Sequence, residues 1–399
     1  MLWNSFGSLF GLVCQWLITV FVVRLSSGYD AAGIYSLAVS VYGIFAPIAQ
    51  YRMYTYQISD VKSENTTGEY MAFRLFTCGV ALVSCVAYSL FTCGPDAWLA
   101  IILYGLYKSA TLIIDVLHGC DQRHERIDFI GKSLGVQGAA TLFSFLAVFI
   151  VTHSLEASLG AMTLGIVMVG VLYDYPRARR FDELTPCISL AKIWYLLKRC
   201  LSVVVAGIAV SASTTLPRQL LAFLMGNAAL GIYSSVAAPV AIIQMGVSYI
   251  YNPLLGYFSQ AYASRDKNAF RRLFLKVVVA MVGVGVVCSI GVLLLGEPLL
   301  VLVFGESIAE HAYLLQPLVL LAVVTGFTWF VNDLLIALRN FAAAFVGSII
   351  ALALSAICMV PFINIFGMNG VTFVCLIASV ISIATMMTFL FRQLQEYWS

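Results

Sequence analysis

The sequence predicts an all-α integral membrane protein with transmembrane helices in two similar halves. Since each span needs ~20 apolar residues, the apolar runs give about twelve of them. Three observations support this fold class. The chain of 399 residues is 61% hydrophobic and only 10% charged, whereas soluble domains carry roughly 25% charged residues. Apolar runs long enough to cross a bilayer recur along the whole chain, and one tetrapeptide occurs twice. A chain so poor in charge cannot cover a water-facing surface.

The repeated tetrapeptide is Gly33-Ile34-Tyr35-Ser36, which returns as Gly231-Ile232-Tyr233-Ser234 after 231 − 33 = 198 residues. Each copy stands between two long apolar runs. Internal duplication of this kind is a common way to build a secondary transporter. We therefore predict an N-terminal six-helix bundle, a cytoplasmic linker and a C-terminal six-helix bundle, over residues 1–173, 174–193 and 194–399.

The apolar runs give the predicted spans in order. They lie near residues 2–23, 34–56, 72–93, 97–117, 133–152, 156–173, 194–217, 232–256, 273–295, 312–337, 341–363 and 369–391. The stretch 297–311 holds one short apolar piece, 299–304, for which we predict a re-entrant segment or an outer loop. Lys and Arg concentrate in alternate loops, including the 174–192 connection, so both termini are expected in the cytoplasm.

Several charged residues fall inside or at the ends of predicted spans. A charge in mid-bilayer costs ~3 kcal/mol on insertion scales, so each one needs a partner or a function. The residues concerned are Arg24, Arg52, Lys108, Asp115, Arg218 and Asp333.

Three of these are arginines that can form an anion site. Arg24 and Arg218 end the first span of each half, and Arg52 lies toward the inner end of the second span. Guanidinium stays charged and grips phosphate oxygens in bidentate fashion. The alternative is that Arg24 and Arg218 extend to lipid headgroups.

The other charges suggest pairing or ion coupling. Lys108 and Asp115 are two helical turns apart and share a face; they pair with each other, pair with the arginines, or carry a proton. Asp333 has no Lys or Arg within one turn, which makes it a coupling candidate.

Prolines interrupt the corresponding helix of each half. Pro47 lies in the second span, and Pro239 and Pro253 lie in the eighth. Interrupted helices at matching places in two repeats point to the substrate path. The alternative is a purely structural kink.

The sequence offers no sign of covalent chemistry. The ten cysteines lie mostly in apolar runs without a CxxC pair, so we interpret them as packing residues. The four histidines are scattered, and no phosphate loop or nucleophile elbow occurs. We therefore expect no catalytic residue, no metal site and no cofactor.

Four blocks of residues, taken in order, resemble the polysaccharide flippases. These are the O-antigen and capsule repeat-unit exporters of the multidrug/oligosaccharidyl-lipid/polysaccharide (MOP) superfamily. The blocks are Arg52 to Asp60 with Glu69-Tyr70 and Arg74-Leu75; Lys108 to Asp115 with Gly119, Gln122, 125–128 and 131–133; Leu216-Pro217-Arg218 with 231–234; and Pro253 with the polar stretch to Arg272.

The resemblance implies a fold of two six-helix bundles around a central cavity. It also implies a function: moving a polyprenyl-diphosphate-linked oligosaccharide across the bacterial cytoplasmic membrane by alternating access. The expected partners are that substrate, membrane lipids and H⁺ or Na⁺ as coupling ion, and not nucleic acid. The diphosphate would be held by Arg24, Arg52, Arg218 and Lys108.

Three other functions compete with this one. A multidrug exporter of the same superfamily would favour acidic residues in its cavity, against the three arginines. A membrane glycan polymerase or ligase needs a large outer loop with catalytic residues, and the sequence offers none with a clear constellation. A passive scaffold would not explain intramembrane arginines.

Overall fold

The computed structural model describes residues 2–26, 28–60, 64–251 and 254–398, and the regular elements of this part are all helical. Eleven helices are long and apolar enough to cross a membrane. The number is twelve if the bent pair Leu190–Leu201 and Val203–Met225 is counted as one span. The predicted all-α integral membrane fold is therefore confirmed.

The helices follow the predicted spans closely, with most of them extending a few residues further. In chain order they are α1 (Leu2–Leu25), α2 (Asp30–Gln50), α3 (Met53–Ser59), α4 (Thr67–Thr92), α5 (Pro95–Arg123), α6 (Ile127–Thr152), α7 (Leu155–Val169), α8 (Tyr175–Ala178), α9 (Leu190–Met225), α10 (Asn227–Tyr251), α11 (Leu255–Ala263), α12 (Lys267–Phe304), α13 (Leu315–Ala337), α14 (Phe341–Phe366) and α15 (Met368–Trp398). A π-helical turn, Gly170–Asp174, joins α7 to α8, and a 3₁₀ segment, Glu306–Leu314, precedes α13.

The chain forms two compact units, Met1–Ile208 and Ala209–Ser399. In the first unit α2 packs against α4 and α5, and α7 packs against α5 and α6. In the second unit α10 packs against α12 and α13, and α15 packs against α13 and α14. This is the pairing order that a duplicated bundle predicts.

The repeated tetrapeptide occupies the first turns of α2 and α10. Its tyrosine is buried in both units, but the contacts differ. The Tyr35 ring meets the ring of Tyr104 edge-on, with centroids 5.9 Å apart. The Tyr233 hydroxyl instead lies in a hydrogen bond of 3.1 Å with the hydroxyl of Thr372. The repeat thus fixes a buried aromatic residue at the same place in each unit.

The longest helix, α12, is almost entirely apolar and mostly exposed. Only 11% of its most apolar window is buried, so its side chains are suited to lipid rather than water. The large apolar residues exposed between residues 277 and 304 are Val279, Val282, Val286, Val287, Ile290, Leu293, Leu294, Leu295, Leu299 and Leu302.

The prediction of a re-entrant segment or outer loop at 299–304 is wrong. α12 continues through Pro298 to Phe304. Leu300 and Phe304 are buried, and their packing holds the last turns in helical form although Pro298 offers no backbone donor.

The 174–193 connection is anchored to the start of α4. The backbone N–H and the hydroxyl of Thr67 donate to Asp182 Oδ2, at 3.0 Å and 2.6 Å. Lys192 Nζ donates to both carboxylate oxygens of Glu69, at 2.7 Å and 2.6 Å. The chain crosses α4 so closely that a side chain at Gly68 would overlap the carbonyl oxygen of Thr185. The connection is therefore a folded part of the first unit.

The Asp182 anchor is expected to stabilise the first unit in a pH-dependent way. Burial would raise the pKa of the Asp182 carboxyl, but the hydrogen bonds from Thr67 and from the Glu183 N–H outweigh it, so its pKa lies below the ordinary 3.8. A lowered pKa gives stability that is present above the unfolded-state value and lost as the pH falls through the folded-state value.

We expect Asp182→Ala to lower the free energy of unfolding by about 1–2 kcal/mol, because charged hydrogen bonds are lost. Thermal unfolding of the purified protein should show this difference near pH 7 and show it shrinking below about pH 4. Glu310→Ala, at an exposed carboxylate, is the control. An unchanged melting temperature for Asp182→Ala at neutral pH would contradict the anchor.

Candidate functional site

The second span is interrupted between α2 and α3. Tyr51 and Arg52 both have left-handed backbone conformations, with φ of 44° and 56°, which are strained for residues with side chains. The interruption falls after Pro47 rather than at it, since the Pro47 carbonyl still accepts from the Tyr51 N–H at 2.9 Å. Arg52 is exposed at this break.

The eighth span holds the corresponding prolines. α10 ends at Tyr251 and α11 begins at Leu255, and residues 252 and 253 between them, Pro253 included, lie outside the described residues. Pro239 lies inside α10, as Pro47 lies inside α2. A role for these prolines in the substrate path therefore stays a prediction.

A buried arginine, Arg74 of α4, closes the end of α2. Its Nη1 donates to the carbonyl oxygens of Ala49 and Gln50, at 2.9 Å and 2.5 Å. Its Nη2 lies 3.5 Å from Asp115 Oδ2, and the arginine side chain is 1% exposed. A cation at a helix C-terminus satisfies carbonyls that have no helical partner and complements the helix dipole. Sequence reasoning counted Arg74 with the loop charges and missed this role.

Asp115 and Lys108 do not pair with each other. The partner of Asp115 is Arg74. Lys108 Nζ lies 5.6 Å and 5.1 Å from the ring centroids of Tyr104 and Tyr107, a cation–π arrangement on its own helix. Arg74 is not one of the three arginines proposed from the sequence, so this pair was not predicted, and a proton-carrying role of Asp115 stays a prediction.

The short helix α3 lies against α5. Gln57 Nε2 donates to the carbonyl oxygen of Val116 at 3.0 Å, and the Tyr54 hydroxyl bonds Gln122 Oε1. A side chain at Gly119 would overlap the Gln57 amide, so this glycine allows the contact. The sequence singled out Gly119, Gln122 and Gln57 only as members of the blocks that carry the family resemblance, and it gave no contact between them.

The second unit contains a largely apolar cavity of ≈ 270 Å³ among its spans, with a few polar groups in its lining. We name it the Arg218 cavity, because Arg218 is the charged residue among those described in its lining. Helices α9, α10, α13 and α15 form its walls. The lining residues are Val210, Ser211, Thr214, Arg218, Tyr233, Ala237, Val240, Ala241, Gln244, Leu318, Leu321, Ala322, Thr325, Trp329 and Cys375.

The lining of the Arg218 cavity combines a cation with neutral hydrogen-bonding groups. Hydroxyls of Ser211, Thr214 and Thr325 and the amide of Gln244 are the neutral groups. A guanidinium with hydroxyl and amide neighbours is chemically suited to an oxyanion such as phosphate. No acidic side chain is among the described lining residues.

The remaining predicted residues lie elsewhere. Arg24 is exposed in the last turn of α1, in the same unit as Arg52. Asp333 of α13 accepts a hydrogen bond of 2.9 Å from the hydroxyl of Tyr251. Arg218, in the second unit, is the predicted cation that the structure places in a cavity.

An interrupted span in the first unit and a cavity with a cation in the second are the main features of the described helices. No model of a known protein family matches the chain. Its architecture matches the lipid II flippase MurJ in an inward closed conformation, with a TM-score of 0.76 and 9% identity over 100% of this chain and 90% of that one. It also matches an inward-facing multidrug resistance MATE family transporter of the MOP superfamily, with a TM-score of 0.68 and 12% identity over 96% of this chain and 94% of that one.

The chain therefore shares the fold of these MOP-superfamily transporters, which is the fold that the resemblance in the sequence implied. It is also similar to the capsular polysaccharide biosynthesis protein CapF of Staphylococcus aureus, at 24% identity over 314 residues, which are 77% of this chain and 78% of the relative. A third structural match is a MOP-superfamily transporter from Pyrococcus furiosus, described as having a binding pocket of reverse polarity that suggests a different function. Its TM-score is 0.63, with 11% identity over 100% of this chain and 96% of that one.

We expect Arg74→Ala to destabilise the first unit by about 3–5 kcal/mol, because it leaves a carboxylate and two carbonyls without their buried partner. Asp115→Asn should cost less, since Asp115 is 34% exposed. Thermal unfolding in detergent measures both. Arg271→Ala, at an exposed arginine of α12, is the matched control, and equal melting temperatures for Arg74→Ala and this control would exclude the proposed role of Arg74.

Proposed function

We propose that this protein is a flippase for polyprenyl-diphosphate-linked oligosaccharide repeat units in the biosynthesis of a surface polysaccharide. It would act in the bacterial cytoplasmic membrane, with both termini in the cytoplasm, and move its substrate by alternating access. The observation that supports this best is the Arg218 cavity, which offers a guanidinium and no carboxylate among its described lining residues.

The chemistry of such a substrate matches the cavity. A lipid-linked repeat unit has one constant polar feature, its doubly anionic diphosphate, whereas the sugar varies. At ≈ 270 Å³ the cavity is smaller than the ~300–1,000 Å³ typical of sites that enclose a drug-sized ligand. It is therefore suited to a phosphate group rather than to a whole oligosaccharide.

The other predicted cations have places in this proposal. Arg24 and Arg52 are exposed on the first unit, where they would meet the substrate before or after Arg218 holds it. The ammonium group of Lys108 lies against the rings of Tyr104 and Tyr107. In this proposal Lys108 would therefore assist the arginines in substrate binding. The lipid tail would stay in the bilayer throughout, so only the polar head needs a hydrated route.

An ion gradient of H⁺ or Na⁺, or the membrane potential, would drive the movement. One charge that crosses 100 mV contributes ~2.3 kcal/mol. Asp115 and Asp333 are the predicted coupling residues, and in the conformation described here each has a partner, Arg74 and Tyr251 respectively. Coupling through either one would require that partner to be exchanged.

The multidrug exporter is the closest alternative. Export of organic cations requires an acidic or aromatic site for positive charge, and the Arg218 cavity presents a positive charge of its own. The relative named for capsular polysaccharide biosynthesis points in the same direction, whereas the solved structures include both a lipid II flippase and a multidrug resistance transporter. A glycan polymerase or ligase is less consistent, because such an enzyme needs a large outer loop and the predicted outer stretch 297–311 is taken up by the end of α12 and a 3₁₀ segment.

We expect Arg218→Ala to abolish most export, because each charged hydrogen bond lost costs about 1.5–3 kcal/mol, or roughly 10- to 100-fold in affinity. Arg218→Lys keeps the charge but not the bidentate geometry and should be intermediate. The measurements are surface polysaccharide on cells and lipid-linked repeat units that accumulate inside, at matched protein level.

The control for this experiment is Arg272→Ala, at an exposed arginine of α12. Normal export from Arg218→Ala would reject the anion site. Export of cationic dyes that is retained in Arg218→Ala, with no effect on polysaccharide, would favour the multidrug exporter.

A further inference from the structure

Three ionisable side chains meet in the interior of the first unit, about one helical turn along α5 from Asp115. His118 and Asp121 belong to the last turns of α5, and Asp174 ends the π-helical turn. They are 4%, 1% and 1% exposed. His118 Nε2 lies 3.3 Å from Asp174 Oδ1.

The carboxyl group of Asp121 has no hydrogen-bond donor. Both of its oxygens, and Oδ2 of Asp174, are buried without a partner among the described residues. An ionised carboxylate in such a place carries a desolvation penalty of several kcal/mol. Asp121 therefore needs a counter-ion or a proton.

The nearest positive charges on other elements are directed elsewhere. Arg126 Nε and Nη2 donate to Asp128 at 2.9 Å and 3.1 Å. Arg177 Nη1 donates to the carbonyl of Tyr173 at 2.6 Å, and its guanidinium lies over the Tyr173 ring. The titratable and charged groups that act on the Asp121 carboxyl, or are acted on by it, are His118, Asp174, Arg126, Arg177, Tyr54, Tyr173 and Cys120.

The π-helical turn is what brings Asp174 to His118. A π turn inserts one extra residue, which rotates all that follows by about 100° relative to a continuous α-helix. Gly170, at its start, packs so close to α5 that a Cβ there would be 3.0 Å from Ile114 Cγ1, one helical turn before His118. π turns of this kind are frequent at functional sites.

A metal ion does not fit this cluster. Within the described residues, no three His, Cys, Asp or Glu side chains are placed so that they could hold one. A proton needs no coordination sphere, and one proton on Asp121 removes the negative charge of a buried carboxyl that has no donor among the residues described.

We propose that His118, Asp121 and Asp174 form a proton-binding site in which Asp121 carries the exchangeable proton. Release passes the proton from the carboxyl oxygen to water, and the guanidinium of Arg126 or Arg177 then turns to the carboxylate as its counter-charge. A role of this site in driving transport rests on the proposed function, whereas proton binding itself does not.

Infrared spectroscopy of the purified full-length protein in lipid tests the site without any substrate. We expect the C=O stretch of a protonated, buried carboxyl at pH 5, its loss in Asp121→Asn, and its retention in Asp30→Asn, at an exposed carboxylate. Absence of the band in the wild-type protein, or its persistence in Asp121→Asn, would overturn the proposal. Loss of the band on addition of Na⁺ at constant pH would show a cation site instead and would overturn it too.

A second variant keeps the test open if Asp121→Asn does not fold. His118→Gln removes a positive charge beside the two carboxyls, so the band should persist to higher pH than in the wild type. An unchanged titration of the band in His118→Gln would count against the site.

Transport in proteoliposomes tests the role of the site. Asp121→Asn should bind the diphosphate lipid normally but lose its transport response to a pH gradient. Failure of diphosphate binding in the wild type would reject the proposed function alone.

Discussion

The guanidinium of Arg74 must be compensated before the first unit can pack, because a buried cation in a membrane-spanning helix is among the costliest groups a chain can carry. Its partners are the last carbonyls of α2 and the carboxylate of Asp115. One side chain therefore ties α2, α4 and α5 together and fixes the point at which α2 stops. The left-handed residues Tyr51 and Arg52 follow from this, since the chain must turn where Arg74 occupies the helix end.

The two units share their helix order but not their polar chemistry. The first unit concentrates paired and buried charges, with Asp115 beside Arg74 and the group formed by His118, Asp121 and Asp174. The second unit encloses the Arg218 cavity and has a hydrogen bond between Tyr251 and Asp333. In the proposed mechanism the first unit would carry the groups suited to protons and the second unit a group suited to an anion. This division separates the proposed energy input from the proposed substrate contact.

The spans were predictable from the sequence because their apolar length is a local property, and the duplication was predictable because the tetrapeptide kept its place at the start of α2 and α10. The intramembrane charges could be found in the same way. Their partners could not, since Arg74 and Asp115 are far apart in sequence and the contact depends on how α4 and α5 pack. The π-helical turn has no residue signature, so nothing in the sequence brought Asp174 next to His118. The docking of the 174–193 connection likewise depends on Asp182 reaching Thr67, 115 positions away.

The length of α12 sets a relation between this protein and the thickness of its bilayer. From Val277 to Gly296 the helix has only uncharged residues, roughly 20 of them, which at 1.5 Å per residue span about 30 Å. This equals the hydrocarbon thickness of a typical membrane. Lys276 and Glu297 mark the two ends, and the apolar turns beyond Glu297, with Leu299 and Leu302 exposed, extend into the headgroup region. A thicker bilayer would draw these turns into hydrocarbon together with Glu297, and a thinner one would tilt the helix. The apolar length of α12 therefore matches the unit that contains Arg218 to a bilayer of one thickness.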